Sequence, residues 1–235
     1  MKKFTCKTLT IGYNEGYEYL RHLFFSPTRY FLKLREKPIW LLPLILILIS
    51  ALLQSFVATR YVKFDEIITK MRERGMTEEQ IERVKNFYQS PKALVLTSFS
   101  VIFTTFIALF LLSLLLNFAL PLLGKEGIFL KTFSVVVNAG LVSALGNLLR
   151  SLLILIKKSP FVATNLSLIL PQNLKKTFLF SLFSQLDIFL IYQFALIGLG
   201  LTLIYELKGK KGYYLPFSLY SLWVILIAFL SLRGR

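Results

Sequence analysis

The chain has 235 residues, 55% of them hydrophobic and only 17% charged, with 28 Lys and Arg against 12 Asp and Glu for a net charge of +16. A soluble domain carries about 25% charged residues, and here the apolar residues gather into long blocks, which excludes a water-soluble globular core. A single cysteine, Cys6, excludes intramolecular disulfides, and a single histidine, His22, leaves a zinc site without ligands.

Residues 1–37 read as a polar segment followed by a short interfacial helix. No cleavable signal is expected, because Lys2 and Lys3 precede polar residues and the first apolar run begins only after Pro38. Ser26-Pro27 has the form of a helix start, with Ser as N-cap and Pro where a missing N–H costs nothing. Tyr30, Phe31 and Leu34 then share one face while Arg29, Lys33 and Lys37 supply charge, the pattern of a helix lying on a membrane. Trp40 falls at the level where aromatic rings meet headgroups.

Five apolar blocks follow: Ile39–Val62, Ala93–Leu123, Ile128–Ile156, Phe178–Leu207 and Tyr213–Leu230. Crossing about 30 Å of hydrocarbon at 1.5 Å per residue takes about 20 residues. The expected architecture is therefore all-α. It is a five-transmembrane-helix bundle over residues 38–235, with spans near 39–62, 92–121, 128–156, 177–207 and 213–232. The long polar connection, 63–90, holds Phe64, Ile67, Ile68 and Met71 at helical spacing, then Gly75 as a left-handed stop. Thr77 and Gln80 make a capping box, and Ile81, Val84, Phe87 and Tyr88 form a second apolar face. That is a pair of short antiparallel helices. A stretch bracketed by Pro160 and Pro171 is too short to cross and is read as interfacial or re-entrant.

Lys and Arg are nearly balanced between the two sides of such a bundle, so charge does not set its orientation. Their spread over every connection suits anionic lipid headgroups, at about 1 kcal/mol per base near the surface. It argues against a nucleic-acid partner.

Asp187 stands out within the fourth run, because a carboxylate near the middle of a span costs about 2.5–3.5 kcal/mol on insertion scales. On the third span Gly140, Ser143, Asn147 and Arg150 recur at spacings of three or four, and on the fourth Ser184, Asp187, Gly198, Thr202 and Tyr205 fall roughly on one face. Counted from their shared loop, Asn147 and Asp187 each lie about 15 Å along their helices. The expected polar cluster is therefore Asp187 with Asn147, Arg150 and Ser143. It is either a proton or cation site or a clamp between two helices. A lone intramembrane acid, with no repeat of broken helices, favours the clamp. Gly140-xxx-Ala144, and Gly198 with Gly200, permit close helix approach, so a membrane-protein partner or a second copy stays open. No phosphate loop, nucleophile elbow or ligand cluster is present in the sequence, so no catalytic residue, cofactor or metal is expected.

Two stretches carry a family resemblance. LFFSPTRYFLKLREKPIWLLPLILILISALLQ, from Leu23, resembles the start of the Yip-domain proteins, in which an amphipathic helix runs into a span. SQLDIFLIYQFALIGLGLTLIYELKGKKG, from Ser184, resembles the LDLF-type span and basic turn of the family's prokaryotic branch, with Tyr192 near a common Trp. TEEQIE in the first loop and the order of spans agree. The resemblance covers residues 20–232. It implies a non-enzymatic, five-helix integral membrane protein with a cytoplasmic N-terminus in a prokaryotic inner membrane. The family is named for binding small Ypt/Rab GTPases, but the long cytosolic arm of its eukaryotic members is here cut to about twenty residues. Small-GTPase binding is accordingly not expected.

Overall fold

The computed structural model of the chain describes residues 21–61, 64–73, 75–159, 162, 164–171, 174 and 177–233. The expected polar segment 1–20 lies outside these residues, as do Pro160, Phe161 and the Lys175-Lys176 pair. Among the described residues the regular structure is all helix, and the β-type contact found is an isolated bridge between Asn165 and Asp187.

The helices in chain order are α1 (Pro27–Glu36), α2 (Leu41–Arg60), α3 (Phe64–Glu73), α4 (Glu78–Gln89), α5 (Pro91–Ala119), α6 (Phe129–Lys157), α7 (Phe178–Gln185), α8 (Ile188–Ile204) and α9 (Lys211–Arg233). Four stretches are long and apolar enough to cross a membrane: Leu41–Arg60, Lys92–Leu123, Phe129–Lys157 and Lys211–Ser231. Such sequences become helices because hydrocarbon offers no partner to a free backbone N–H or C=O. The polar punctuation sets their ends. Thr77 and Gln80 exchange both bonds of a capping box at the start of α4, and the Ser90 hydroxyl accepts the Ala93 N–H (3.3 Å) ahead of Pro91. Gly75 closes α3 at φ +78°, a left-handed turn that a side chain would strain.

α6 is the central helix. Thr132 through Val142 are all buried, between α2, α5 and α8. Its small residues serve packing inside the bundle. A Cβ on Gly140 would come within 2.9 Å of Ile47 Cδ1 on α2, and one on Gly146 within 3.0 Å of Phe189 on α8. The α8–α9 pair is closer still: a Cβ on Gly198 would meet Tyr213 Cδ1 at 2.4 Å, and one on Gly212 would meet the Gly198 carbonyl oxygen at 2.7 Å.

Expectations change at two places in the folded chain. Ser26 makes no side-chain cap bond, because residues 21–25 are already helical and its N–H donates to the His22 carbonyl (2.9 Å). The apolar face of α1 lies against protein. Tyr30, Phe31 and Leu34 are buried, Phe31 fits over Gly200, and the Tyr30 hydroxyl donates to Asn138 Oδ1 on α6. The cover of that face is α6 and α8 in place of the lipid expected. Pro27 opens the helix half-buried, and Arg29 and Lys33 point outward as a surface helix requires.

The second change concerns the fourth apolar run, expected as one continuous span. It is two helices of 8 and 17 residues, interrupted at Leu186-Asp187. Both run antiparallel along α9. α7 meets its later half, with Ser231 Oγ donating to Ser181 Oγ (2.6 Å) and the Phe178 and Phe229 rings 5.5 Å apart. α8 meets the earlier half through the stacked rings of Phe194 and Tyr220, 4.7 Å apart.

Candidate functional site

The interruption is built around Asp187. Its backbone is extended (φ −100°, ψ 133°), so it cannot continue the helix, and it becomes the N-cap of α8 instead. One carboxylate oxygen, Oδ1, accepts the N–H groups of Phe189 (2.8 Å) and Leu190 (3.4 Å), two of the donors that any helix start leaves free. The other, Oδ2, accepts from Arg150 Nη2 and from the Thr164 hydroxyl, each at 2.5 Å. Arg150 Nε donates in turn to Thr164 Oγ1 (2.9 Å). A carboxylate that is only 4% exposed thus meets a guanidinium, a hydroxyl and the positive end of a helix dipole.

The peptide groups freed by the break are also satisfied. The Leu166 N–H donates to the Leu186 carbonyl (2.9 Å), and the Tyr220 hydroxyl on α9 donates to the Gln185 carbonyl (2.9 Å). An extended piece, 164–166, therefore docks into the gap and is followed by a short 3-10 turn, Leu166–Ile169. Irregular backbone inside a bundle is tolerated on this condition. Arg150, with 33% of its side chain exposed, is far more accessible than Asp187 at 5%.

Of the expected cluster, Arg150 and Asp187 meet. Asn147 and Ser143 do not join them. Asn147 Nδ2 donates to Ser50 Oγ on α2 (3.4 Å), and the Ser143 hydroxyl donates to Gln193 Oε1 on α8. The reason is geometric. Asn147, three residues before Arg150 on α6, faces α2, and Ser143, seven before it, faces α8 well away from the break, which Arg150's long side chain reaches. Thr202 and Tyr205 also bond elsewhere: Thr202 to the Gly198 carbonyl of its own helix (2.7 Å), Tyr205 to Thr132 (2.7 Å) and to the Ile128 backbone. Ser184 donates to the Ser181 carbonyl (2.6 Å).

Sequence reasoning did not find Thr164, Gln193, Tyr220 or Asn138. Asn138 Nδ2 donates to the Ile39 carbonyl (2.6 Å) and to the Ser134 carbonyl (2.7 Å), holding the α1–α2 elbow against α6. Asn138 lies nine residues before Asn147 and Ser143 lies between, so its polar type on α6 was the available signal. Thr164 lies within the stretch bracketed by prolines, and nothing in its spacing marked it as a partner.

Away from the spans, the hairpin α3–α4 carries an ion pair of its own. Arg72 donates to both carboxylate oxygens of Glu78 (2.6 and 3.0 Å), and these hydrogen bonds hold the Glu78 carboxyl below the usual glutamate range. No group of His, Cys, Asp and Glu able to hold a metal is found among the described residues.

Among known proteins, neither the curated sequences nor the solved structures provide a significant match. A family model does. The Yip1 domain matches residues 21–232, from the residues before α1 to the last turn of α9, and it fits a chain with several helices able to span a bilayer. On that match and that architecture, the chain is a multi-pass integral membrane protein of the Yip1-domain family.

Proposed function

We propose that this protein is a non-enzymatic scaffold of a prokaryotic inner membrane, holding a membrane-protein partner or a second copy of itself. In this reading it crosses the bilayer five times, through α2, α5, α6, the α7–α8 pair and α9, with its N-terminus in the cytoplasm. Anionic headgroups surround its basic connections. The observation that supports it is the bonded state of Asp187: both oxygens are engaged, and every buried side-chain nitrogen or oxygen among the described residues has a hydrogen-bond partner. A polar group so satisfied fixes helix packing and leaves no free carboxylate for an ion.

Crosslinking in native membranes followed by affinity purification tests it. A defined protein, or a second copy, should be recovered at stoichiometric yield. Recovery of the monomer with lipid alone would sink the scaffold reading.

One observation favours a second reading, a transporter or permease component with Asp187 as a proton- or cation-linked site. An interrupted helix whose half-helix N-terminus meets an acid and an extended segment is the construction of many transporter sites. Reconstituted vesicles loaded with a pH-sensitive dye separate the two. Equal passive proton flux in the wild type and in Asp187→Asn supports the scaffold; a flux that Asp187→Asn abolishes would replace it.

A further inference from the structure

Helices α3 and α4 form a hairpin with little protein around it. α3 packs chiefly on α4, and α4 packs on the first turns of α5, where Ile81 and Ala93 are buried. Yet α3 is strongly two-faced: Ile67, Ile68 and Met71 lie on one side, while Asp65, Thr69, Arg72 and Glu73 are exposed. α4 likewise buries Ile81 but leaves Phe87 44% exposed. Two helices of 10 and 12 residues cannot make a water-excluding core of their own.

The chain keeps both legs at the bilayer. Residues 61–63 separate α2 from α3, a reach of at most about 14 Å from Arg60 to Phe64. Ser90 alone separates α4 from α5, so the exposed Phe87 lies within about one turn, 5 Å, of the start of a spanning helix. That helix then carries exposed apolar side chains onward from its first turns, with Val95 at 72% and Phe99 at 66%. The apolar surface is thus continuous from α5 onto the end of α4. Tyr61 is half exposed at the matching end of α2.

We infer that the α3–α4 hairpin lies flat in the headgroup layer of the bilayer, with Ile67, Ile68, Met71 and Phe87 immersed in lipid and the mixed charges of both helices facing water. Lipid is the occupant because the face adjoins a membrane-exposed helix at both ends, and interfacial helices of this kind bury an apolar side 5–10 Å deep, to about the level of the acyl boundary. The inference does not depend on whether the bundle scaffolds or transports.

The test uses the full chain with Cys6→Ser and a single new cysteine at one of four sites: Ile68→Cys or Met71→Cys on the apolar side, Thr69→Cys or Glu73→Cys on the polar side. Each is labelled with an environment-sensitive nitrobenzoxadiazole probe and reconstituted in phosphatidylcholine–phosphatidylglycerol vesicles. The probe at 68 and 71 should emit at shorter wavelength and lose at least half its intensity to shallow spin-labelled lipid, with the probe at 69 and 73 little affected. Equal, water-like emission at all four sites would overturn the inference. So would energy transfer between probes at 68 that rises with protein-to-lipid ratio, because the occupant would then be a second copy.

Discussion

Asp187 is a buried carboxylate held by one guanidinium, one hydroxyl and two peptide N–H groups, and these contacts are unequal. Removing Arg150 leaves the acid buried and unneutralised, which typically costs about 3–5 kcal/mol when one partner of a buried pair is lost. Asp187→Asn keeps an oxygen for the Phe189 and Leu190 N–H groups and removes the charge together with its need for Arg150. Thermal unfolding in detergent should therefore rank Arg150→Leu as the more damaging change. Asp187→Asn combined with Arg150→Leu should be less damaging than Arg150→Leu alone. A double-variant loss equal to the sum of the two single losses would show that the pair is not coupled. Arg150 was legible as a partner because its long side chain, starting a turn nearer the surface, can reach Asp187's depth. Asn147 shares almost the same depth but faces Ser50, a distinction that only the neighbouring helices decide.

Among the elements, the ends with polar signals were the legible ones. The Thr77–Gln80 capping box, the Ser90-Pro91 start and the Gly75 stop are local chemistry, so a sequence displays them. The break between α7 and α8 is different. The run from Phe178 to Tyr205 has no proline or glycine at the break, Ser184, Gln185 and Asp187 there do not by themselves stop a helix, and what stabilises the gap comes from segments 164–166, α6 and α9. Likewise the apolar side of α1 was visible, while the Gly200 and Val135 surface that receives it was not. The close α8–α9 contact makes its own prediction. Gly212→Val would drive a side chain onto the Gly198 backbone and separate the two helices, so folded yield in detergent should collapse, whereas the same change at Lys211, which is exposed, should be tolerated. In the hairpin, the lowered carboxyl of Glu78 sets the sign of a pH effect. Its contribution to the α3–α4 contact is complete above the ordinary glutamate range and is lost as pH falls through the lowered value in the folded chain. Amide exchange in α4 should therefore quicken relative to α6 as pH falls below that range, after correction for intrinsic rates. Glu78→Gln should remove this difference.

For the whole molecule, the bonds between distant segments give each connection a side. Arg35 pairs with Glu206 (2.5 Å), and Tyr205 bonds Thr132 and the Ile128 backbone, so α1, the α5–α6 turn and the α8–α9 turn share one end of the bundle. The α3–α4 hairpin and the described residues between α6 and α7 lie at the other, with the last turn of α9. Cysteines introduced at Glu126 and Gly209 should thus react with an impermeant maleimide from one side of the membrane, and one at Gly75 from the opposite side. Labelling of positions 75 and 209 from the same side would rule out an α7–α8 pair that crosses. α6 ties these ends together. Along its length Thr132, Asn138, Ser143, Asn147 and Arg150 each bond a different neighbour, so its register is fixed at every level.

The gap at Leu186-Asp187 also constrains how the polypeptide is made. When residues 178–204 leave the ribosome, Arg150 and Thr164 are already synthesised, but the hydroxyl that satisfies the Gln185 carbonyl belongs to a residue 35 positions downstream. Until that residue arrives, the nascent segment carries an open peptide group that lipid cannot satisfy. Pairing with α9 closes that group, so a chain truncated before Tyr220 should be retained at the insertion machinery longer than the full-length chain.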